Sequence, residues 1–348
     1  MLYLELIGAF FLTGGTILAL RPAAARLGLM DLPGGRKIHA SATPMVGGVG
    51  IFTGIVCMTL LSPALITNFA PLLTLSALVL FIGTLDDALG LTVRTRFTGH
   101  VLIALSMAVV AEVQLQSLGE LVSSTSIGLG GLAIPMTVFA TVGVINAINM
   151  ADGIDGLSGG LSIVTLGLIA AVALLAGRME LVSFIAIIVC SILAFLTLNF
   201  RRPWKLQAMV YLGDAGSTML GFILAWLLID VSQGENALIT PVYALWFLAL
   251  PLYDTVNLLI RRPLSDHSPF KPGNDHLHHC LLQRGFSVEQ VVLILTASAL
   301  LLGLIGFAGY LIDARESWMF ALFMFGFALY FYFSDWLNPA HQTAKQES

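Results

Sequence analysis

Charge is scarce in this sequence. Asp, Glu, Lys and Arg make up 10% of its 348 residues, against about a quarter in an ordinary soluble domain, while apolar residues reach 57%. Such a chain cannot cover a water-facing surface, which excludes a soluble globular protein. Cysteine is almost missing as well. Three residues are too few for a disulfide framework, and Cys57 and Cys190 lie inside apolar runs, where a small thiol packs easily. No basic arm and no aromatic-basic repeat accompany the net charge of −4, so the electrostatic footprint of a nucleic-acid binder is absent. No Walker-type phosphate loop occurs either. Met1 to Glu5 contain no Lys or Arg, and no small-residue cleavage site precedes Arg21, so the first apolar run is expected to stay as a helix rather than leave as a signal peptide.

What the sequence has in abundance is long apolar stretches. Crossing a hydrocarbon layer about 30 Å thick takes about 20 apolar helical residues. Spans are expected near 2–20, 45–65, 71–85, 97–113, 130–149, 157–176, 181–200, 209–229, 237–260, 289–312 and 317–336. None shows the alternation of a membrane β-strand, and backbone groups facing lipid must be paired within their own segment. The expected fold is therefore all-α: a polytopic membrane helix bundle of about eleven transmembrane helices, forming one domain over 1–348.

Assigning alternate loops to opposite sides puts fourteen Lys and Arg on one side and only Arg178 and Arg315 on the other. Positive residues near span ends are retained in the cytoplasm, which places the amino terminus outside and the carboxyl terminus inside. The cytoplasmic loops then fall at about 21–44, 86–96, 150–157, 201–208 and 261–288. Carboxylates, amides and imidazoles played no part in that count, yet the unusual polar segments all land on the same side.

Those segments carry the chemistry. Asp86 and Asp87 are adjacent carboxylates where the third span meets the cytoplasm, a place for a divalent ion, a base or simply a solvated helix end. Asn146, Asn149 and Asp152 recur every third residue, so they share one side of a helix end, and Asp152-Gly153 and Asp155-Gly156 follow. Glycine there lets backbone and carboxylates approach a ligand closely. Asp214 stands between glycines in LGDAGS at the start of the eighth span, either as an N-cap or as a carboxylate on a magnesium ion beside a phosphate-binding helix start. The longest inside loop carries His276, His278 and His279. With Cys280 these could suggest zinc, but their spacing matches no standard zinc pattern. Hard oxygen ligands, dispersed cations and no covalent nucleophile point to magnesium-assisted phosphoryl transfer. Transport is the competing class. It calls for ionisable residues near the midplanes of several spans, whereas here nearly all sit at inner ends.

With the DD pair, NxxNxxDGxDGL from Asn146 to Leu157, GDAGS and the histidine loop in this order, the chain resembles the polyprenyl-phosphate N-acetylhexosamine-1-phosphate transferases over nearly its whole length. HLHH followed by CLLQRGFS, and TPMVGG near residue 43, resemble the WecA-type branch rather than the peptidoglycan translocases, whose HHFE is missing. The resemblance implies attack by undecaprenyl phosphate on the sugar-bearing phosphate of a UDP-sugar, most simply UDP-GlcNAc, with release of UMP at the inner membrane. A quinovosamine, fucosamine or MurNAc-pentapeptide donor is the alternative. It further implies magnesium, with manganese as the other candidate ion, on Asp214 and Asn149; uracil near Asp155; a shaping role for Asp152; and Asp86 or Asp87 as base. The acceptor phosphate is already largely dianionic at neutral pH, so the pair could instead orient a cation or the acceptor. Lys37, His39, Asn146, His276, His278 and His279 are the implied substrate contacts, and a homodimer is compatible with the family.

Overall fold

A computed structural model of the chain describes residues 2–32, 42–122, 125–201, 207–235, 237–264 and 275–337. Thirteen α-helices among these residues account for the architecture: α1 (Leu2–Leu20), α2 (Gly47–Leu60), α3 (Pro63–Leu89), α4 (Val93–Val109), α5 (Ala133–Ala151), α6 (Leu157–Leu175), α7 (Met179–Asn199), α8 (Gly213–Ser232), α9 (Pro241–Phe247), α10 (Ala249–Leu264), α11 (Leu277–Gln283), α12 (Val288–Leu311) and α13 (Glu316–Leu337). A two-residue antiparallel pair, β1 (Met30–Asp31) with β2 (Thr43–Pro44), is the one sheet among the described residues. The molecule is an all-α, multi-pass membrane bundle. Eight helices are long and apolar enough to cross a membrane, or nine when α9 and α10 are taken as one bent span. A count of eleven also requires α2, at 14 residues, and α4, at 17, both shorter than the about 20 residues of a full crossing.

Helix α8 is the axis of the bundle. Apart from Asp214 and Asp230, all of its residues are buried, packed by α2, α3, α5 and α6. This explains an apolar sequence with no polar face: a helix surrounded by other helices has no side to reserve for water. Close approach at its first turn depends on a glycine in the neighbouring helix. A Cβ on Gly83 of α3 would fall 2.4 Å from the Cα of Ala215, so any side chain there would push α3 away just before it delivers Asp86 and Asp87.

The expected ninth span is broken rather than straight. α9 and α10 meet at an angle of 84°. Pro251 lies four residues beyond Phe247, has no N–H to offer its carbonyl, and its ring would clash with it in a continuous helix. The stranded Phe247 carbonyl receives the Thr165 hydroxyl of α6 at 2.9 Å, which meets the requirement that backbone polar groups at membrane depth be paired. The bent pair holds α13 and the turn that precedes it through polar ends of aromatic rings. Tyr243 donates to the Ala314 carbonyl at 2.9 Å, Trp246 to that of Met319 at 3.2 Å and Tyr253 to that of Phe323 at 2.7 Å. Rings that are apolar in body and polar at the tip fit this dry interface.

If Thr165 is the partner that makes the break tolerable, Thr165→Val, which keeps the shape and loses the donor, should cost about 1 kcal/mol. Thermal unfolding in detergent should show a midpoint lower by a few degrees, with Thr165→Ser close to the parent. An unchanged midpoint for the valine variant would mean that the carbonyl needs no partner.

Candidate active site

The ends of α3, α5 and α7 and the starts of α4, α6 and α8 meet at one end of the bundle, and there the sequence-predicted carboxylates come together. Gly213 has φ +76°, a left-handed conformation that suits glycine, and it turns the chain abruptly into α8. The α8 N-cap residue, Leu212, contributes no side-chain cap. Asp87 does so from another helix: its Oδ1 accepts the Asp214 N–H at 2.9 Å and its Oδ2 the Ala215 N–H at 3.1 Å. A carboxylate at a helix start satisfies free N–H groups and complements the helix dipole. Capping, left open for Asp214 by its sequence setting, therefore falls to Asp87, and the Asp214 side chain is directed to other partners.

Asp214 is shared by two helices. Its Oδ1 accepts from Asn149 Nδ2 at 2.8 Å, and the same amide nitrogen contacts Ser217 Oγ at 2.9 Å. Its Oδ2 meets Arg96 Nη1 at 3.0 Å, and that guanidinium also binds Asp86 Oδ2 at 2.5 Å. Asp86 Oδ1 holds the chain leaving α3 through the Leu91 N–H at 2.8 Å. Both oxygens of Asp86, and both of Asp87, thus have donors.

Asp155 is buried and paired with Arg201 Nε at 2.5 Å. Asp152, the C-cap residue of α5, has no side-chain hydrogen bond among the described residues. Burial, reinforced by the negative charges of Asp214, Asp87 and Asp155, pushes its carboxyl well above the usual carboxylate range. Among the described residues, these five carboxyl groups have two cationic partners, Arg96 and Arg201, so carboxyl groups outnumber the cations paired with them. That surplus, and hard oxygen donors, fit a divalent cation. With its Nδ2 committed, Asn149 has its carbonyl oxygen to offer beside the Asp214 carboxylate. Among the described residues, no group of three or more His, Cys, Asp or Glu side chains is placed to hold a metal ion.

The histidines form a second wall. His276 Nδ1 lies 2.8 Å from Asp254 Oδ2. The His276 and His278 rings stack with centroids 5.5 Å apart, and His279 is 4.2 Å from His278. A Cβ on Gly153 would fall 2.1 Å from His278 Nε2, so the histidine wall lies directly against the Asp152-Gly153 turn. Burial, with the neighbouring imidazoles adding to it, lowers His278 to about 3 and also lowers His279, keeping both neutral near pH 7. Arg262 clamps Asp275 just ahead of them at 2.9 and 2.7 Å.

Of the residues singled out in the sequence, Asp86, Asp87, Asn149, Asp152, Asp155, Asp214 and the three histidines are gathered here. Asn146 is not joined to the carboxylates; its amide donates to the Val142 carbonyl of its own helix at 2.7 Å. Lys37 and His39 lie outside the described residues. The sequence reading missed Arg96 and Arg201, counted there only as cytoplasmic charges, as well as Ser217, and Tyr330 in an apolar helix. Asp254 lies in the segment PLYDT near the end of an apolar run, and nothing in the sequence links it to a histidine 22 residues on.

Residues 69–232 match the glycosyl transferase family 4 model, a region running from α3 to α8 that includes every carboxylate of the cluster. The undecaprenyl-phosphate alpha-N-acetylglucosaminyl 1-phosphate transferase of Yersinia pestis is 36% identical over 332 residues, covering 94% of this chain and 90% of that protein. The protein of the same name from Escherichia coli K12 is 36% identical over 333 residues, covering 94% and 89%. That of Haemophilus influenzae is 35% identical over 332 residues, covering 95% and 92%.

The crowding of Asp152 has a measurable consequence. A carboxyl raised on folding binds its proton more tightly in the native state, so stability falls as pH rises from the ordinary carboxylate range through the raised value. Asp152→Asn removes that penalty. In metal-free protein its melting temperature should exceed the parent's at pH 8, with the difference shrinking toward pH 4. An advantage that does not depend on pH would refute the charge-crowding account.

Proposed function

Because the chain belongs to glycosyl transferase family 4, we propose that it transfers N-acetylglucosamine 1-phosphate from UDP-GlcNAc to undecaprenyl phosphate, releasing UMP and starting a lipid-linked glycan. The observation that carries this reading is the convergence of Asp86, Asp87, Asn149 and Asp214 from three helices at one end of a membrane bundle. The acceptor has a hydrocarbon tail and the donor is water-soluble, so the reaction needs a polar site at the membrane boundary. The lopsided distribution of Lys and Arg supports placing that end in the cytoplasm, with eleven crossings, the amino terminus outside and the protein in the inner membrane.

In the proposed reaction an oxygen of the lipid phosphate forms a bond to the sugar-bearing phosphorus, and the bond to the bridging oxygen breaks, that oxygen leaving with UMP and the electron pair. Asp214 and Asn149 would hold a magnesium ion, whose chemistry there is to offset the charge of the diphosphate. Asp87 serves the reaction by fixing the start of α8 and with it the Asp214 backbone. Asp86 holds Arg96, a cation beside Asp214 that suits an incoming phosphate oxygen. Neither needs to act as a base, since the acceptor phosphate is largely dianionic at neutral pH. Asp155 and Arg201 form a polar patch for the nucleobase end of the donor, while the histidine wall faces its phosphates and sugar.

The test is UMP release by protein purified in detergent with undecaprenyl phosphate and magnesium, comparing UDP-GlcNAc with UDP-MurNAc-pentapeptide. Turnover of UDP-GlcNAc alone is expected, with loss of at least about 100-fold in Asp214→Ala and abolition by a chelator. Preference for the pentapeptide donor would overturn the donor assignment, and silence with every nucleotide sugar would overturn the reaction itself.

A further inference from the structure

Asp254 belongs to no part of the carboxylate cluster, yet three donors converge on it. The side chain projects from α10 soon after the 84° break, and 16% of it is exposed. Its Oδ1 accepts the Leu277 N–H at 3.1 Å and the Tyr330 hydroxyl of α13 at 2.8 Å, while its Oδ2 faces His276 Nδ1 at 2.8 Å. An ionised carboxylate can only accept, so Nδ1 carries the hydrogen in this contact and Nε2 remains as the nitrogen available to a ligand. The ring so fixed stacks on His278, which in turn abuts Gly153 beside Asp152. Asp254 therefore sets the orientation of the histidine wall against the carboxylate floor, and Tyr330 braces Asp254 from the far side.

We propose that Asp254, braced by Tyr330, is a positioning residue that holds His276 as the Nδ1–H tautomer and presents the unprotonated Nε2 as an acceptor to a hydroxyl or amide N–H of the nucleotide-sugar donor. The donor in this statement rests on the reaction proposed above; the tautomer does not. The break at Pro251 then has a functional consequence, since it gives α10 the direction that brings Asp254 under His276. Tyr330 brings α13 into the same support.

Asp254→Asn keeps the size of the side chain but has one acceptor oxygen where three donors meet, so His276 loses its fixed acceptor. The donor kcat/KM should fall about 30-fold, as is usual when the partner orienting an imidazole is removed, while the KM for undecaprenyl phosphate stays within twofold. In a His276→Ala background the same substitution should cost less than twofold more, because its effect passes through the ring. Tyr330→Phe, a milder change, should lose about threefold and show the same non-additivity. Full additivity of Asp254→Asn with His276→Ala, or an equal rise in both substrates' KM values, would assign Asp254 a general structural role and overturn the proposal. Nitrogen-15 NMR of histidine-labelled protein reads the tautomer without turnover, with His276→Ala assigning the signal. The parent should show Nδ1–H at His276 and Asp254→Asn a shift toward Nε2–H, whereas Nε2–H in the parent would sink the idea even in a protein that proved inactive with every donor.

Discussion

The site depends on one contact between helices: the Asp87 carboxylate at the start of α8. Two backbone N–H groups of α8 that its own sequence does not cap are bound by a side chain from α3. This cap works only because the helices are almost touching, which requires Gly83 opposite Ala215, and because Gly213 can adopt a positive φ. A Cβ on Gly213 would lie 2.5 Å from Asp87 Oδ2. Capping, glycine and close approach are thus one arrangement, and through it Asp214 reaches Asn149 on one side and Arg96 on the other.

The membrane imposes the second constraint. Water is not available at depth to satisfy backbone groups freed by a kink, so each departure from helical regularity needs a local partner. Thr165 supplies one for Phe247 at the α9 and α10 break. The ring donors of Trp246 and Tyr253 reach α13 carbonyls and that of Tyr243 the Ala314 carbonyl just before α13, where dry surroundings favour bonds that water would otherwise weaken. The resulting scaffold is rigid where it must be bent, and the bend is what turns α10 toward the histidine segment.

Electrostatics divides the site into two parts. On the carboxylate floor, burial and the negative charges of Asp214, Asp87 and Asp155 raise the Asp152 carboxyl. On the histidine wall the His276 and His278 rings are stacked and buried, and burial keeps His278 and His279 neutral near pH 7. A nucleotide sugar meeting both surfaces would set its phosphates beside Arg96 and the start of α8 and its sugar against a fixed imidazole acceptor, a division suited to phosphoryl transfer, where positioning and charge do most of the catalytic work.

By itself the sequence determined the all-α membrane class, because the apolar runs fit the thickness of a bilayer and no other solvent suits them. It also singled out Asp86, Asp87, Asn149, Asp152, Asp155 and Asp214, which the fold gathers at one end, because a carboxylate or amide at the end of an apolar run is costly enough to stand out. Only the tertiary structure decided what they touch. That Asp87 caps a helix 127 residues further on, that Arg96 joins Asp86 to Asp214, and that Tyr330 supports Asp254 are contacts between segments far apart in the chain. Hydropathy and local spacing record how a residue relates to its own helix, and they contain nothing about which other helix lies beside it. The break at Pro251 is the intermediate case. The proline was visible in the sequence, but it ends a helix in one setting and is absorbed in another, and here the neighbouring Thr165 hydroxyl satisfies the carbonyl that the break leaves free.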